Sequence, residues 1–291
     1  MSPEEKFKIL VKFVKDCGIS VNTGTRARGH QGFFMKNRID ISSVLDVGRK
    51  IEVLVHEFAH YAHYCLEPDV ARNHGSLKTL FKTQNTAQIE KELLEVTKFV
   101  DKNTALQRLN DMKTREKALI KELDAKIKSK YPDFKRSAPY KKLDSPLKRT
   151  DARYLLKYDR VKVKTPFSGR IKTYYAKDFL ADFPQFDEYF AAYINLKSHQ
   201  RMMKRISARI NRLNKYYSRP SELFARFAEG LYVDKETVKK LAPQAFERFF
   251  ELLNSGHYGK LAELFDLCGL LAVQRLNMNR DRRITEPFFD C

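Results

Sequence analysis

The sequence has few cysteines, no long apolar run and a shortage of acidic residues. Its four cysteines, Cys17, Cys65, Cys268 and Cys291, lie far apart and form no CxxC pair, which is typical of reduced thiols. No apolar run approaches the roughly 20 residues that span a bilayer, so we expect no contact with a membrane. The first segment, "MSPEEKFKILVKFVKDCG", is too charged for a secretory signal. Together these absences predict a cytoplasmic protein.

The shortage of acidic residues is uneven along the 291-residue chain, whose formal net charge is +20. Residues 197–219 contain eight basic residues and no acidic one, and residues 141–178 contain twelve basic residues against four acidic. Basic surfaces of this kind attract polyanions. The two segments therefore indicate nucleic acid as a partner, although solvated helix faces in a lysine-rich protein would have the same composition.

Hydrophobic spacing predicts an α+β fold that is predominantly helical and has a small sheet. In "GFFMKNRIDIS", Ile39 and Ile41 alternate with polar residues, which is typical of an extended, half-buried strand. Residues 86–130 carry a continuous helical pattern that indicates a helical hairpin or a coiled-coil-like arm. Two alternating segments on either side of "TPFSG" predict a β-hairpin.

The motif H-E-x-x-H, formed by His56, Glu57 and His60, lies on the predicted helix "VLVHEFAH". Positions i and i+4 of a helix share one face and lie about 6 Å apart, so the two imidazoles can bind one Zn²⁺ ion. The neighbouring glutamate can accept a proton from a zinc-activated water that attacks a carbonyl. The motif thus predicts a zinc site with Glu57 as the catalytic base, and the alternative is a helix whose polar residues coincide with the pattern.

Three segments together resemble the zincin metallopeptidases: "NRIDIS", "VLVHEFAH" and "RPSELFARFAEGLY". In the gluzincin branch of that family, a glutamate on a later helix supplies the third zinc ligand. The segment "RPSELFARFAE" is similar to the R-P-S-E-x-F-A-R segment of phage-associated and polyvalent-protein metallopeptidase domains. This resemblance, which covers residues near 35–75 and 218–232, implies that Glu222 is the third ligand. It also implies a zinc metallopeptidase that hydrolyses a protein or peptide substrate.

A weaker resemblance gives a second scheme. The segment "NHGSLKTLF" resembles SprT-like proteases, in which a histidine shortly after H-E-x-x-H completes the site. It implies His74 as the third ligand and a protease that acts on DNA-bound proteins, but Lys78 stands where that family has an aromatic residue and Phe81 comes later. A third hypothesis is a non-catalytic, zinc-containing module that binds nucleic acid or a partner protein. Glu57 speaks against it, because a structural zinc site needs no base.

Three parts of the chain follow from these segments. We predict the N-terminal part of a metallopeptidase core over residues 1–80 and an inserted helical arm with a β-hairpin over residues 81–185. Residues 186–291 are predicted to complete a zincin-like core with the helix that carries the third ligand. We interpret "NRIDIS" as an edge strand along which an extended substrate pairs.

Four further residues have predicted roles near the site. His63 shares the stripe of the two histidines and is expected to pack or to face solvent, and the alternatives are a hydrogen bond that supports the site or a contact with the substrate. Glu229 is an alternative ligand, or a carboxylate that orients an imidazole. Tyr216 and Tyr217 are candidates for stabilising the oxyanion of a tetrahedral intermediate, and aromatic packing is the alternative for both.

Overall fold

The computed structural model describes residues 1–24, 31–101, 105–138, 140–141, 150–156, 158, 160–164 and 171–271. Its helices are α1 (Pro3–Asp16), α2 (Val47–Leu66), α3 (Val70–Asn73), α4 (Leu77–Phe81), α5 (Thr86–Val100), α6 (Ala105–Lys130), α7 (Phe179–Asp182), α8 (Glu188–Tyr217), α9 (Pro220–Val233), α10 (Lys235–Leu241), α11 (Pro243–Asn254) and α12 (Leu261–Leu267). Its strands are β1 (Ser20–Asn22), β2 (Gly32–Met35), β3 (Arg38–Ile41), β4 (Arg160–Lys164) and β5 (Ile171–Tyr175). The prediction of a predominantly helical fold with a small sheet is confirmed. Within the described residues, no helix is both long enough and apolar enough to cross a membrane.

The chain forms two compact units. The first unit comprises Met1–Lys102 and Lys215–Cys291, and the second comprises Asn103–Asn214. Both limits lie further along the chain than those predicted from the sequence at 80/81 and 185/186. Helix α5 belongs to the first unit because its apolar residues Leu93, Val96 and Val100 are part of that unit's core.

The sheet of the first unit has the strand order β1-β3-β2, with β3 parallel to β1 and antiparallel to β2. The prediction that "NRIDIS" is an edge strand was wrong, because β3 is paired on both sides. Its residues Ile39 and Ile41 are fully buried, as their alternation predicted. In the described part of the sheet, β2 lies at an edge.

The segment "GFFMKNRIDIS" was predicted to be extended, and it contains two strands, β2 and β3. It is a hairpin in which Met35 pairs with Arg38, so the chain reverses at Lys36 and Asn37. Lys36 adopts the left-handed conformation with φ 52°, which lysine rarely does, and the sequence therefore gave little sign of a turn here.

Helix α9 packs against both α2 and α5, and a glycine allows the close approach to α5. A Cβ atom at Gly230 would lie 2.8 Å from Val96 Cγ1 and 3.2 Å from Val100 Cγ2, so a larger residue would push the helices apart. On another side of α9, the rings of Phe224 and Phe227 contact Phe81 at centroid distances of 6.2 and 6.1 Å. These contacts hold α9 firmly in the core of the first unit.

The second unit has an aromatic core of its own. Phe179 and Phe190 are almost completely buried, with Phe134 and Tyr193 beside them. Leu109 of α6 packs with Ile206 and Ile210 of α8 in a smaller cluster. Strands β4 and β5 form the predicted antiparallel hairpin, while the predicted turn "TPFSG" at 165–169 lies outside the described residues.

Candidate metal centre

Helix α2 places the histidines of H-E-x-x-H one turn apart. The helix begins after Asp46, whose carboxylate accepts the backbone N–H of Arg49 at 2.9 Å and so satisfies one free donor of the first turn. Leu54 and Phe58 are fully buried and anchor the helix in the core. The rings of His56 and His60 lie 4.9 Å apart between centroids.

Helix α9 brings a carboxylate to the same place. It begins with Pro220, and the backbone N–H of Ser221 donates to the carbonyl of His74 at 3.1 Å, which fixes the start of the helix. Glu222 in the first turn is buried. Its Oε1 lies 3.6 Å from His56 Nε2, and its Oε2 lies 3.6 Å from His60 Nε2.

The spacing and chemistry of these three side chains fit a zinc ion. Each residue offers one ligand atom, and the three atoms lie within 4.8 Å of one another. The nitrogen-to-oxygen distances of 3.6 Å exceed the usual hydrogen-bond range of about 2.7–3.2 Å. They are close to the roughly 3.3–3.5 Å that separates two ligands around one tetrahedral zinc ion. Two imidazoles and a carboxylate also form a donor set that zinc commonly takes.

A second carboxylate orients the first imidazole. Glu229 Oε2 lies 2.9 Å from His56 Nδ1, which leaves Nε2 to face Glu222. Arg49 Nη1 donates to Glu229 Oε1 at 2.6 Å and holds this carboxylate in turn. The position of Glu229 agrees with its predicted role as an orienting carboxylate. Arg49 was missed, because nothing in its local sequence connects it with a residue 180 positions away.

Arginine also contacts the candidate ligand itself. Arg226 Nε donates to Glu222 Oε1 at 3.1 Å, and Arg226 Nη1 donates to Glu229 Oε2 at 3.4 Å. Burial by itself raises the pKa of Glu222 and Glu229. The nearby histidines and Arg226 outweigh burial and hold both pKa values below the ordinary range. Both carboxylates are therefore charged at neutral pH.

The carboxylate of Glu57 lies beside the cluster and is nine-tenths buried. A Cβ atom at Gly32, the first residue of β2, would lie 2.3 Å from Val53 Cγ1 and 2.6 Å from Glu57 Oε1, so a larger residue would have to displace both side chains. Within the described chain, no donor forms a hydrogen bond with it. Burial raises the pKa of Glu57, and the nearby histidines lower it only in part. A carboxylate with a raised pKa is a better general base.

The two tyrosines before α9 have different surroundings. Burial raises the pKa of the Tyr216 hydroxyl, and the nearby carboxylates of Glu222 and Glu57 raise it further, which places this hydroxyl at the cluster. Its side chain is 40% exposed, so it lies where the cluster meets solvent. The hydroxyl of Tyr217 donates instead to Asp101 at 3.3 Å. The ring of Tyr217 also lies near the cluster, with its centroid 5.5 Å from Arg226 Cζ. Of the two hydroxyls, that of Tyr216 is the one that interacts with the Glu222 carboxylate by a hydrogen bond.

His74 and His63 lie outside the ligand cluster. His74 ends α3 with φ 67°, and burial together with the charges of Arg219 and Lys215 lowers the pKa of its side chain. Among the described residues, the side chains that could share one metal ion are those of His56, His60 and Glu222, and His74 is not one of them. His63 is fully buried, and its Nε2 lies 2.8 Å from Glu67 Oε2, which is the packing role expected for it.

Comparison with known proteins adds nothing to this geometry. No family model, no curated protein and no solved structure matches the chain.

Proposed function

We propose that the protein is a zinc-dependent metallopeptidase whose first unit is a zincin-like core and whose second unit is a helical insertion in it. The observation that carries the proposal is the convergence of His56, His60 and Glu222, with each histidine Nε2 3.6 Å from a Glu222 oxygen. Glu57 lies beside them with a raised pKa and no hydrogen-bond donor among the described residues. A purely structural metal site has no use for such a base.

In this proposal His56, His60 and Glu222 hold the ion. Zinc bound there would lower the pKa of a water molecule toward about 7 and polarise the carbonyl of the peptide bond. Glu57 accepts the proton of the attacking water and passes it to the leaving amine. Glu229 fixes the His56 tautomer that presents Nε2. The hydroxyl of Tyr216 donates to the oxygen on which negative charge develops.

The strand β2 is the proposed place for the substrate. It lies at an edge of the described sheet, and its first residue, Gly32, lies directly against Glu57. An extended peptide that adds to this edge by backbone hydrogen bonds would pass the catalytic base. Phe33 and Met35 are 49% and 54% exposed on the same strand and would contact substrate side chains.

The test separates metal binding from catalysis. Glu57→Gln keeps the shape of the side chain and removes the base, so it should retain about one zinc per chain and lower kcat/KM on a peptide library by at least about 100-fold. The matched control is Glu95→Gln, a half-exposed glutamate that pairs with Lys98 on α5 and should leave both zinc and activity unchanged. Full activity of Glu57→Gln, or purified protein without zinc in elemental analysis, would refute the proposal.

A further inference from the structure

Helix α8 carries its basic residues on one side. At about 100° per residue, a single arc of the helix contains Lys197, Arg201, Lys204, Arg205, Arg209 and Arg212. On the opposite side, Ile206 and Ile210 are buried against α6. The helix therefore has an apolar side that packs within the second unit and a cationic side that does not.

These cations have no anionic partners within the described chain. Other lysines of the second unit are paired: Lys126 lies 2.7 Å from Glu188, and Lys128 lies 2.7 Å from Asp124. No such ion pair involves Arg201, Lys204 or Arg205 among the described residues.

Instead, positively charged side chains lie close to one another. Burial lowers the pKa of Lys197, and the positive charges of Lys135 and Lys204 lower it further. The anionic groups of a bound partner would relieve this repulsion.

An aromatic ring lies among the cations. A shallow depression of about 370 Å³ is lined by Tyr158, Arg201, Lys204, Arg205 and Ala208. Tyr158 is 48% exposed, and the short side chain of Ala208 leaves the space beside it open. Proteins that bind single-stranded nucleic acid combine these two features, cations for the phosphates and an aromatic ring on which a base stacks. A ligand that presents phosphates but no bases would not stack on the exposed ring.

We propose that this surface of the second unit binds single-stranded nucleic acid. Arg201, Lys204 and Arg205 contact successive phosphates, and one base stacks on Tyr158. The cationic side from Arg201 to Arg212 is about 16 Å long at 1.5 Å per residue, which is enough for a few nucleotides. The proposal depends only on residues of the second unit, so it stands or falls independently of the zinc chemistry.

Charge reversal in the full-length protein tests the cationic contacts. Binding of a fluorescein-labelled oligothymidylate is measured by anisotropy over a range of salt concentrations. The double variant Arg201→Glu/Arg205→Glu should raise Kd by about tenfold or more and flatten the dependence on salt, because two phosphate contacts are lost. The matched control is Lys8→Glu/Lys12→Glu, which makes the same change in net charge at exposed positions of α1 in the first unit. It should change Kd by no more than about twofold. Equal weakening by both double variants, or no binding at low salt, would overturn the proposal.

Substitutions at Tyr158 test whether the ligand is single-stranded rather than duplex nucleic acid. Tyr158→Ala should weaken binding of the oligothymidylate about tenfold, whereas Tyr158→Phe should bind normally, because stacking needs the ring and not the hydroxyl. Circular dichroism confirms that each variant is folded. An unchanged Kd for Tyr158→Ala, or tighter binding of a duplex than of the single strand, would overturn the assignment. Binding of phosphatidylserine vesicles that depends on Arg201 and Arg205, without oligonucleotide binding, would identify a membrane surface instead.

Discussion

The two units of the chain use arginine in opposite ways. In the first unit, Arg49 and Arg226 are largely buried and donate to the carboxylates of Glu222 and Glu229. In the second unit, Arg201 and Arg205 are exposed and have no ion-pair partner among the described residues. Buried and paired charged side chains have fixed positions, as a catalytic site requires. Exposed charges instead contribute to a shared electrostatic field, which extends over a Debye length of about 8–10 Å. Substitutions should therefore have abrupt effects at the first set and graded effects at the second.

The largest expected effect is the loss of zinc from the first unit. Glu222→Ala removes a proposed ligand and should abolish tight zinc binding, because two histidines alone hold the ion weakly. His74→Asn should keep the zinc, since asparagine tolerates the left-handed backbone at this position and the carbonyl that accepts Ser221 N–H remains. Elemental analysis of both purified variants checks the prediction. Zinc retained in the first and lost from the second would assign His74 as the ligand.

The next effect should be confined to the second unit. Phe190 is 1% exposed in the aromatic core of that unit, so Phe190→Ala should destabilise it by about 3–5 kcal/mol. The zinc content should not change, because the proposed ligands and the arginines that hold their carboxylates belong to the first unit. Hydrogen exchange followed by mass spectrometry should show lost protection within residues 103–214 only. A parallel loss of zinc would mean that the two units do not fold independently.

A smaller effect is expected from Glu229, which contacts the proposed ligand His56 and is not itself a proposed ligand. Glu229→Gln removes the charge that orients His56, so zinc affinity should fall by about 10–100-fold while binding persists. Competition with a chromophoric chelator measures the affinity. Glu52→Gln is the control, because Glu52 is the other carboxylate that Arg49 contacts, and among the described residues no side-chain hydrogen bond or ion pair joins it to either histidine. An equal loss in both variants would assign the effect to Arg49 rather than to the orientation of His56.

The smallest predicted effect comes from His63. Burial lowers the pKa of His63 below its ordinary 6.5, and Glu67 restores it only in part. As the pH falls below about 6.5, His63 is therefore protonated in the unfolded chain at a pH at which it is still neutral in the folded chain. The free energy of unfolding should be highest above pH 6.5 and should fall as the pH decreases through the folded pKa.

Urea unfolding of chelator-treated protein at several pH values, followed by circular dichroism, checks this prediction. The sequence contains no tryptophan, so fluorescence offers little signal. In His63→Gln, which cannot titrate, the decline below pH 6.5 should be shallower. An identical decline in both proteins would contradict the assignment to His63.

The sequence predicted arrangements of residues that are close together in the chain better than contacts between residues that are far apart in it. The positions of His56 and His60 on one helix face follow from four-residue spacing, and Glu222 was reached through a family resemblance; its role as a ligand stays a prediction. The contact between His56 and Glu229 joins residues 173 positions apart and depends on how α9 packs, so local patterns allowed two roles for that glutamate. The partnership of Arg49 with Glu229 had no sequence signal of any kind.

The error in the sheet and the difference between the predicted limits and those of the two units have the same origin. Ile39 and Ile41 correctly predicted a half-buried strand, but alternation does not tell which strands lie on either side of it. The reversal at Lys36 and Asn37 uses a backbone conformation that glycine would have made visible. Helices α5 and α6 were predicted together as one arm, and it is the packing of Leu93, Val96 and Val100 in the core of the first unit that separates α5 from α6.

If zinc binds at the cluster as proposed, the carboxylates around His56 make its uptake an exchange with protons. Burial by itself lowers the pKa of His56, but Glu222 and Glu229 outweigh burial and raise it above 6.5. An imidazole nitrogen binds a cation only after it has lost its proton, so an arriving ion must displace one from this ring. The carboxylates that attract a metal cation thus also stabilise the proton that competes with it for the His56 nitrogen. The zinc occupancy of the protein would then follow both the acidity and the free zinc concentration of its surroundings, as in a weak-acid ion exchanger.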